Sequence, residues 1–304
     1  MRKYLTHTEI KKLSLEEMLQ LTSEEGTAEP AFNPQNSTCV HNLFYSWHGV
    51  LSEMQTFPTN TPEVIKQCIP LWEKDGFEFI HFQNRGTILQ ILCKVQQNIS
   101  PEKFSQKIKG RLTYAFKHSS AYLKFSRALG FRSLGFNTSE IVKKYIKGQI
   151  DKKNLADNRY KEILKQFSQY DNSISFTDPH KNKRSRYWYN IHLVIVIANR
   201  QSPITKNTTF NKIKNLIPAI ATKHEHKIAD FAIMPDHIHI AIQANPEKNP
   251  YEIGLSFLNN LAYAMNMRYF WRNEFYVGTF SEYSLNSLGI TTQTSIPTRQ
   301  ARGR

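Results

Sequence analysis

The chain is 304 residues long, with 40% hydrophobic and 12% aromatic residues, enough to build real cores and to exclude a chain disordered throughout. Lys and Arg total 40 against 25 Asp and Glu, a formal charge of +15 with a pI near 9.6, which argues against an enzyme of small neutral metabolites. Such an excess points to a polyanionic partner, nucleic acid first, because every neutralised phosphate releases counterions. The longest purely apolar run, "LVIVIA" at 193–198, is too short to span a bilayer, so no membrane partner is expected. Cys39, Cys68 and Cys93 have neither even parity nor C-x-x-C spacing, so reduced thiols in a cytoplasmic protein are the expectation.

In chain order, "HTEIKKLSLEEMLQLTSEEG" predicts a capped helix within an N-terminal extension, residues 1–38. "FYSWHGVL" reads as a strand, "TPEVIKQCIPLW" from Thr61 as a helix, "TILQILCKV" as a strand and "PEKFSQKIKGRLTYAF" from Pro101 as a second helix. Thr138 or Ser139 then caps a helix through Glu140, Ile141, Val142 and Tyr145, and the four-residue spacing sets Tyr145 and Gln149 on one helix face. A polar, basic, breaker-rich stretch at 168–186 reads as a linker.

Beyond it the pattern starts again. "YWYNIHLVIVIA" is β-rich, "TFNKIKNLIPAIATKH" is helical with Ile213, Leu216, Ile217 and Ile220 on one face, and "NPYEIGLSFLNNLAYAMNMRYF" is a second helix. The first helices share T-x-x-x-I-K-x-x-I-P at an offset of 209 − 61 = 148; the second helices are offset by 149, and Pro58 stands opposite Pro203 at 145. This near-constant spacing reads as two copies of one domain, residues 39–167 and 187–290, closed by a polar basic tail at 291–304. Helices alternating with strands predict an α+β chain of two ferredoxin-like sandwich domains in tandem.

The copies differ in chemistry. In "FAIMPDHIHIAIQ", strand alternation puts His237, His239 and Ala241 on one face and Ile238, Ile240 and Ile242 on the other. A lone H-x-H is equally well a solvent face that happens to carry two histidines. At an offset of 149 the histidines fall opposite Ile88 and Gln90, whereas Tyr145 falls opposite the stretch around Thr291. One copy keeps the tyrosine helix, the other the histidines. Asp236 either orients an imidazole or simply sits in the turn with Pro235. His48 and His192, near the first strand of each copy, read as structural or DNA-facing.

"MPDHIHIAI" resembles the HUH strand (histidine, hydrophobic, histidine) of the single-tyrosine transposases of bacterial insertion sequences, and "SLGFNTSEIVKKYIKGQI" is similar to that family's tyrosine helix. "ISPEKFSQKIKGRL" resembles the lysine- and glycine-bearing helix between them. The resemblance implies HUH-type domains, a dimer fused into one chain as an intramolecular pseudo-dimer, and a metal-dependent single-stranded DNA transposase acting at hairpin-bearing ends, in the cytoplasm at the nucleoid. By position it implies Tyr145 as a nucleophile forming a 5′-phosphotyrosine, with His237, His239 and Gln149 holding Mg²⁺ or Mn²⁺. The complementary site, with Ile88, Gln90 and Thr291, should be dead, leaving one composite site per chain. Further dimerisation is one way to supply the second tyrosine that symmetric transposition needs.

Lys107, Lys109, Arg111 and Lys144, with Lys181, Lys183, Arg184 and Arg186 of the linker, are the candidate contacts to single-stranded or hairpin DNA, and "YWY" at 187–189 and "RYFWR" at 268–272 are candidate base-stacking platforms or core. Two other readings stand beside transposition. One is a domesticated nickase or replication-origin endonuclease; the other is a non-catalytic hairpin-DNA-binding protein.

Overall fold

The computed structural model describes residues 30–52, 55–119, 122–151, 158–171, 173–181, 184–198, 207–265 and 270–288. The helix expected near the N-terminus, Lys183 and the tail from Thr291 onward lie outside them.

The front half runs β1 (Thr38–Asn42), β2 (Phe44–Leu51), α1 (Thr61–Lys74), β3 (Phe77–Arg85), β4 (Ile88–Val95), α2 (Pro101–Lys117), β5 (Phe125–Leu134) and α3 (Ser139–Lys147). After α4 (Asn158–Gln166) and the short strands β6 (Gln169–Tyr170) and β7 (His180–Lys181), the back half follows. It runs β8 (Ser185–Trp188), β9 (Asn190–Ile197), α5 (Asn207–Lys223), β10 (Lys227–Ile233), β11 (His237–Gln243), α6 (Pro250–Met265) and β12 (Trp271–Phe280). Two mixed six-stranded sheets result. The front sheet has the order β3-β4-β2-β5-β8-β7 and the back sheet β1-β12-β9-β11-β10-β6.

Leaving aside the added edge strands, both sheets have one connectivity, strand-helix-strand-strand-helix-strand, with the first strand between the third and the fourth. The fourth strand of each half, β5 and β12, is an element that the apolar patterning did not separate from its neighbours. The hairpins β3–β4 and β10–β11 carry a register shift at the same place, around Ile80 and Ala229, so His81 and Asp230 correspond at an offset of 230 − 81 = 149. The first strands correspond at 190 − 44 = 146, since Phe44 faces Leu134 and Asn190 faces Phe280. That differs by one from the offset that aligns Pro58 with Pro203. One residue in a strand exchanges its faces, so the shift matters for the site.

Each half gives a strand to the other's sheet. β1 runs parallel to β12, and β8 runs parallel to β5. Each donated strand continues almost directly into the first strand of its own half. Residues 168–186, expected to be a linker only, thus supply β6 to the back sheet and β7 and the start of β8 to the front one. The halves also meet at Gly135–Ser284 and Thr138–Ser281, where Ser139 N–H donates to Ser281 O (2.7 Å) and Leu285 N–H to Gly135 O (2.9 Å).

Burial follows the periodicity. In α2, whose first turn is capped by Ser100 Oγ accepting from Lys103 N–H, Phe104, Ile108, Leu112 and Phe116 recur every four residues and are all buried. In α6, Ile253, Phe257, Leu261 and Met265 do the same, and Gly254 lets the helix close on the sheet, because a Cβ there would meet the Phe275 ring at 2.0 Å. The stripes pack on one side of each sheet and merge into one core, in which Tyr45 of the front half meets Tyr189 of the back half edge-on. Phe270 and Trp271, like Tyr187 and Tyr189, are buried in that core, so these rings are not stacking platforms.

Candidate active site

The other side of the back sheet is where the chemistry collects. β11 alternates as its sequence requires: Ile238, Ile240 and Ile242 enter the main core, and His237, His239 and Ala241 face the opposite way. That face is covered by α3 of the front half. Thr138 caps α3 by accepting from Ile141 N–H (3.3 Å), and Val142 and Ile146, one turn apart, pack on Ala229, Ala232, Ala241, Phe176 and Phe280. Alanines on β10 and β11 allow this close approach; larger side chains would hold the helix off. Lys143 extends toward the buried Asp230 carboxylate at 3.9 Å. Burial raises the Asp230 pKa, while Lys143 and Lys147 pull it back.

Docked this way, α3 sets the Tyr145 ring edge-on to His239, with centroids 5.3 Å apart and planes at 88°, and 6.0 Å from His192. Tyr145 is 47% exposed, whereas His239 is 4% exposed. The two residues are 239 − 145 = 94 positions apart in the chain.

The ring nitrogens are engaged in a pattern. His237 Nδ1 is 2.6 Å from Asp236 Oδ1, so the carboxylate accepts the Nδ1 proton. His239 Nδ1 is 3.0 Å from His192 Nε2. His192, expected to be structural or DNA-facing, is hydrogen-bonded into this cluster. It sits on β9 opposite Ala241, and the absence of bulk at Ala241 lets its ring reach across to His239. Burial lowers the His192 pKa to about 4, which keeps this imidazole neutral at physiological pH. Only the pairing register of β9 with β11 could have revealed it, and a single sequence does not contain that register. Tyr276, on β12, adds a further ring 6.1 Å from His192.

Gln149 departs from the expected helix face. α3 ends at Lys147, and Gln149 lies in the turn beyond Gly148, 1% exposed, with its amide NH₂ donating back to Tyr145 O (3.1 Å). The amide nitrogen is thereby committed to the backbone, and the oxygen is the end with metal-binding capacity.

Among the described residues no three His, Cys, Asp or Glu side chains are arranged to hold a metal ion. The donors that could do so are two imidazoles and one amide. The chemistry of that set suits a divalent ion: with its Nδ1 proton given to Asp236, His237 has an Nε2 lone pair, His239 has one in the tautomer that carries its proton on Nδ1, and a carboxylate-oriented histidine is a frequent companion of protein-bound metals. Two nitrogens and an amide oxygen leave coordination positions open, and of the two expected ions Mn²⁺ accepts nitrogen more readily than Mg²⁺.

The matching face of the front sheet is different. There Ile88 is exposed, Gln90 Nε2 donates to Ser46 Oγ (2.9 Å), and Ser46 Oγ pairs with His48 Nε2 (2.9 Å). Arg132, at the position of Gly278, is ion-paired with Glu282 and lies over the Trp188 and Tyr283 rings at 4.5 and 5.5 Å.

The basic candidates divide into two groups. Lys107 and Arg111 share Asp75 (3.0 and 3.3 Å), and Lys109 donates to Ser126 O (2.6 Å), so the charge of the α2 group is partly spent within the protein. Lys144, Lys181, Arg184 and Arg186 are exposed. No described helix is long and apolar enough to cross a membrane.

Comparison with known proteins gives one family match: residues 185–289 fit the model described as "Transposase IS200 like". No curated protein matches the chain. A solved structure from Deinococcus radiodurans R1, described as a candidate transposase, aligns at 18% identity with a TM-score of 0.31, covering 36% of this chain and 93% of that one. The stretch that carries His192, Asp236, His237 and His239 is thus the stretch similar in sequence to the IS200-like transposases.

Proposed function

We propose that the chain is a metal-dependent enzyme that nicks and rejoins single-stranded DNA at hairpin-bearing sites, as a transposase, through one composite centre per chain. The reading treats the chain as a tandem duplication in which the front half supplies the tyrosine and the back half the metal site. The observation that carries it is the edge-on approach of Tyr145, from the front half, to His239 of the back half at 5.3 Å.

In this reading the Tyr145 phenolic oxygen bonds to the scissile phosphorus as the bond to the 3′ oxygen breaks. The products are a 5′-phosphotyrosine and a 3′ hydroxyl, which takes up a proton from solvent as the phenol releases its own. A bound divalent ion supplies electrophilic stabilisation of the charge that develops on the non-bridging oxygens. The chain's own residues do the rest. His237 and His239 would hold the ion, Asp236 would orient the His237 ring, and Gln149 would close the centre from the turn after the tyrosine helix. Exposed Lys144, one residue before Tyr145, would contact the phosphate backbone, and exposed Lys181, Arg184 and Arg186 are further candidates for it. Because the phosphotyrosine conserves the energy of the phosphodiester, attack by a 3′ hydroxyl rejoins the strand without an external energy source.

The test is direct. Purified protein, labelled single-stranded hairpin DNA and Mn²⁺ should yield a denaturant-stable protein–DNA adduct. Tyr145→Phe should abolish it, while Tyr283→Phe, on the front-sheet face, should retain it. An adduct that persists in Tyr145→Phe removes the proposal. DNA retention with no adduct under any metal condition favours the binding-protein reading instead.

A further inference from the structure

We propose that His192 is a positioning residue whose Nε2 accepts the Nδ1 proton of His239, holding that ring in the tautomer that presents Nε2 to a metal ion. The inference rests on the metal-site reading above and extends it to a residue in a different strand. Two observations carry it.

The first is the geometry. The 3.0 Å separation between His192 Nε2 and His239 Nδ1 requires a proton between them, and only two assignments exist. If His192 donates, His239 Nδ1 is the acceptor, neutral His239 carries its proton on Nε2, and that atom cannot ligate. If His239 donates, its Nε2 lone pair is available. His237 is held in this second sense by Asp236, so the proposed assignment leaves both histidines unprotonated at the same ring atom, Nε2.

The second is the comparison between the sheets. With β2 and β9 related by 146 and β4 and β11 by 149, Ser46 corresponds to His192 and Gln90 to His239. Those two are also hydrogen-bonded, with Gln90 Nε2 donating to Ser46 Oγ (2.9 Å). The diagonal contact therefore belongs to the fold, and a hydroxyl suffices to fill it. An imidazole is found on the face where the diagonal neighbour is itself a histidine.

The experiment uses the full chain without metal. Long-range ¹H–¹⁵N spectra of the histidine rings should show His239 with its proton on Nδ1. His192→Phe should shift His239 toward the Nε2–H form and weaken Mn²⁺ binding, measured by titration calorimetry, by about 10- to 100-fold. His192→Gln, whose amide oxygen can accept the same proton, should restore affinity to within about threefold of the original protein, as a mere packing role would not. If Phe is not accommodated, His192→Ala gives the same two readings. A proton on His239 Nε2 in the unaltered protein, or unchanged tautomer and affinity in the Phe or Ala variant, overturns the proposal. Absence of Mn²⁺ binding by the unaltered protein would instead overturn the metal-site reading, while the ring spectra still decide the role of His192.

Discussion

The α3-covered face of the back sheet and the matching face of the front sheet have one backbone and two chemistries. Strand order, the shifts in the hairpins, the exchanged edge strands and the diagonal contact between first and third strands coincide. What differs is a handful of side chains: His237 for Ile88, His239 for Gln90, His192 for Ser46 and Gly278 for Arg132. The front face lacks the three imidazoles, and Arg132 sets a long side chain where Gly278 has none. The lesson is that one backbone carries either set of polar side chains on this face, since most of the buried apolar residues lie on the other side, where the helices pack.

The sharpest way to break that comparison is to write the front face's residue into the back. His239→Gln should lower adduct formation on the order of a thousandfold, because the amide supplies neither the imidazole ligand nor the Tyr145 contact. Gln90→Ala should change it less than about twofold. Equal losses in the gel assay would mean that both faces take part.

A smaller effect is expected where the halves join. A Cβ at Gly135 would lie 1.9 Å from Thr279 O, so Gly135→Ala must displace backbone at the crossing point and should cost about 2–4 kcal/mol in urea unfolding. At the corresponding position, Ser281→Ala loses only a hydroxyl that bonds Tyr283 O and N–H (2.8 and 3.1 Å), for about 1 kcal/mol. Similar values would show that the join is looser on the Gly135 side than the geometry indicates.

The smallest expected effect is shared between the faces. Burial lowers the pKa of His48 in the front sheet and His192 in the back sheet to about 4 each, with Arg132 adding to the effect on His48. In the unfolded chain these rings protonate near 6.5, so between pH 6.5 and 4 the unfolded state binds more protons than the folded one. Stability should be fully present above about pH 6.5 and fall as the pH drops toward 4. His48→Gln should flatten that decline in thermal melts without altering the adduct at neutral pH. An unchanged slope would show that His48 titrates alike in both states.

Much of this was legible in the residues. The repeat appears in T-x-x-x-I-K-x-x-I-P, and the β11 alternation by itself puts His237 and His239 side by side. The cap at Thr138 and the apolar spacing of Val142 and Ile146 define a short amphipathic helix carrying Tyr145. Less was visible where the signal lies between strands. His192 in "NIHLVIVI" looks like an isolated polar residue in an apolar run until β9 is set beside β11, and β5 and β12 were hidden by their mixed aromatic and charged residues. Gln149 was misplaced because a four-residue spacing implies a common face only while the helix continues, and this one ends at Lys147.

The sequence by itself placed Tyr145, His237 and His239 on the local elements they occupy, because alternation, capping and helical spacing depend on neighbours a few positions away. Only the tertiary structure decided that α3 crosses to the back sheet, that β1 and β8 are exchanged, and that His192 meets His239. Those outcomes depend on which surfaces can approach closely. The alanines at 229, 232 and 241 and the glycine at 135 permit an approach that bulkier residues would prevent.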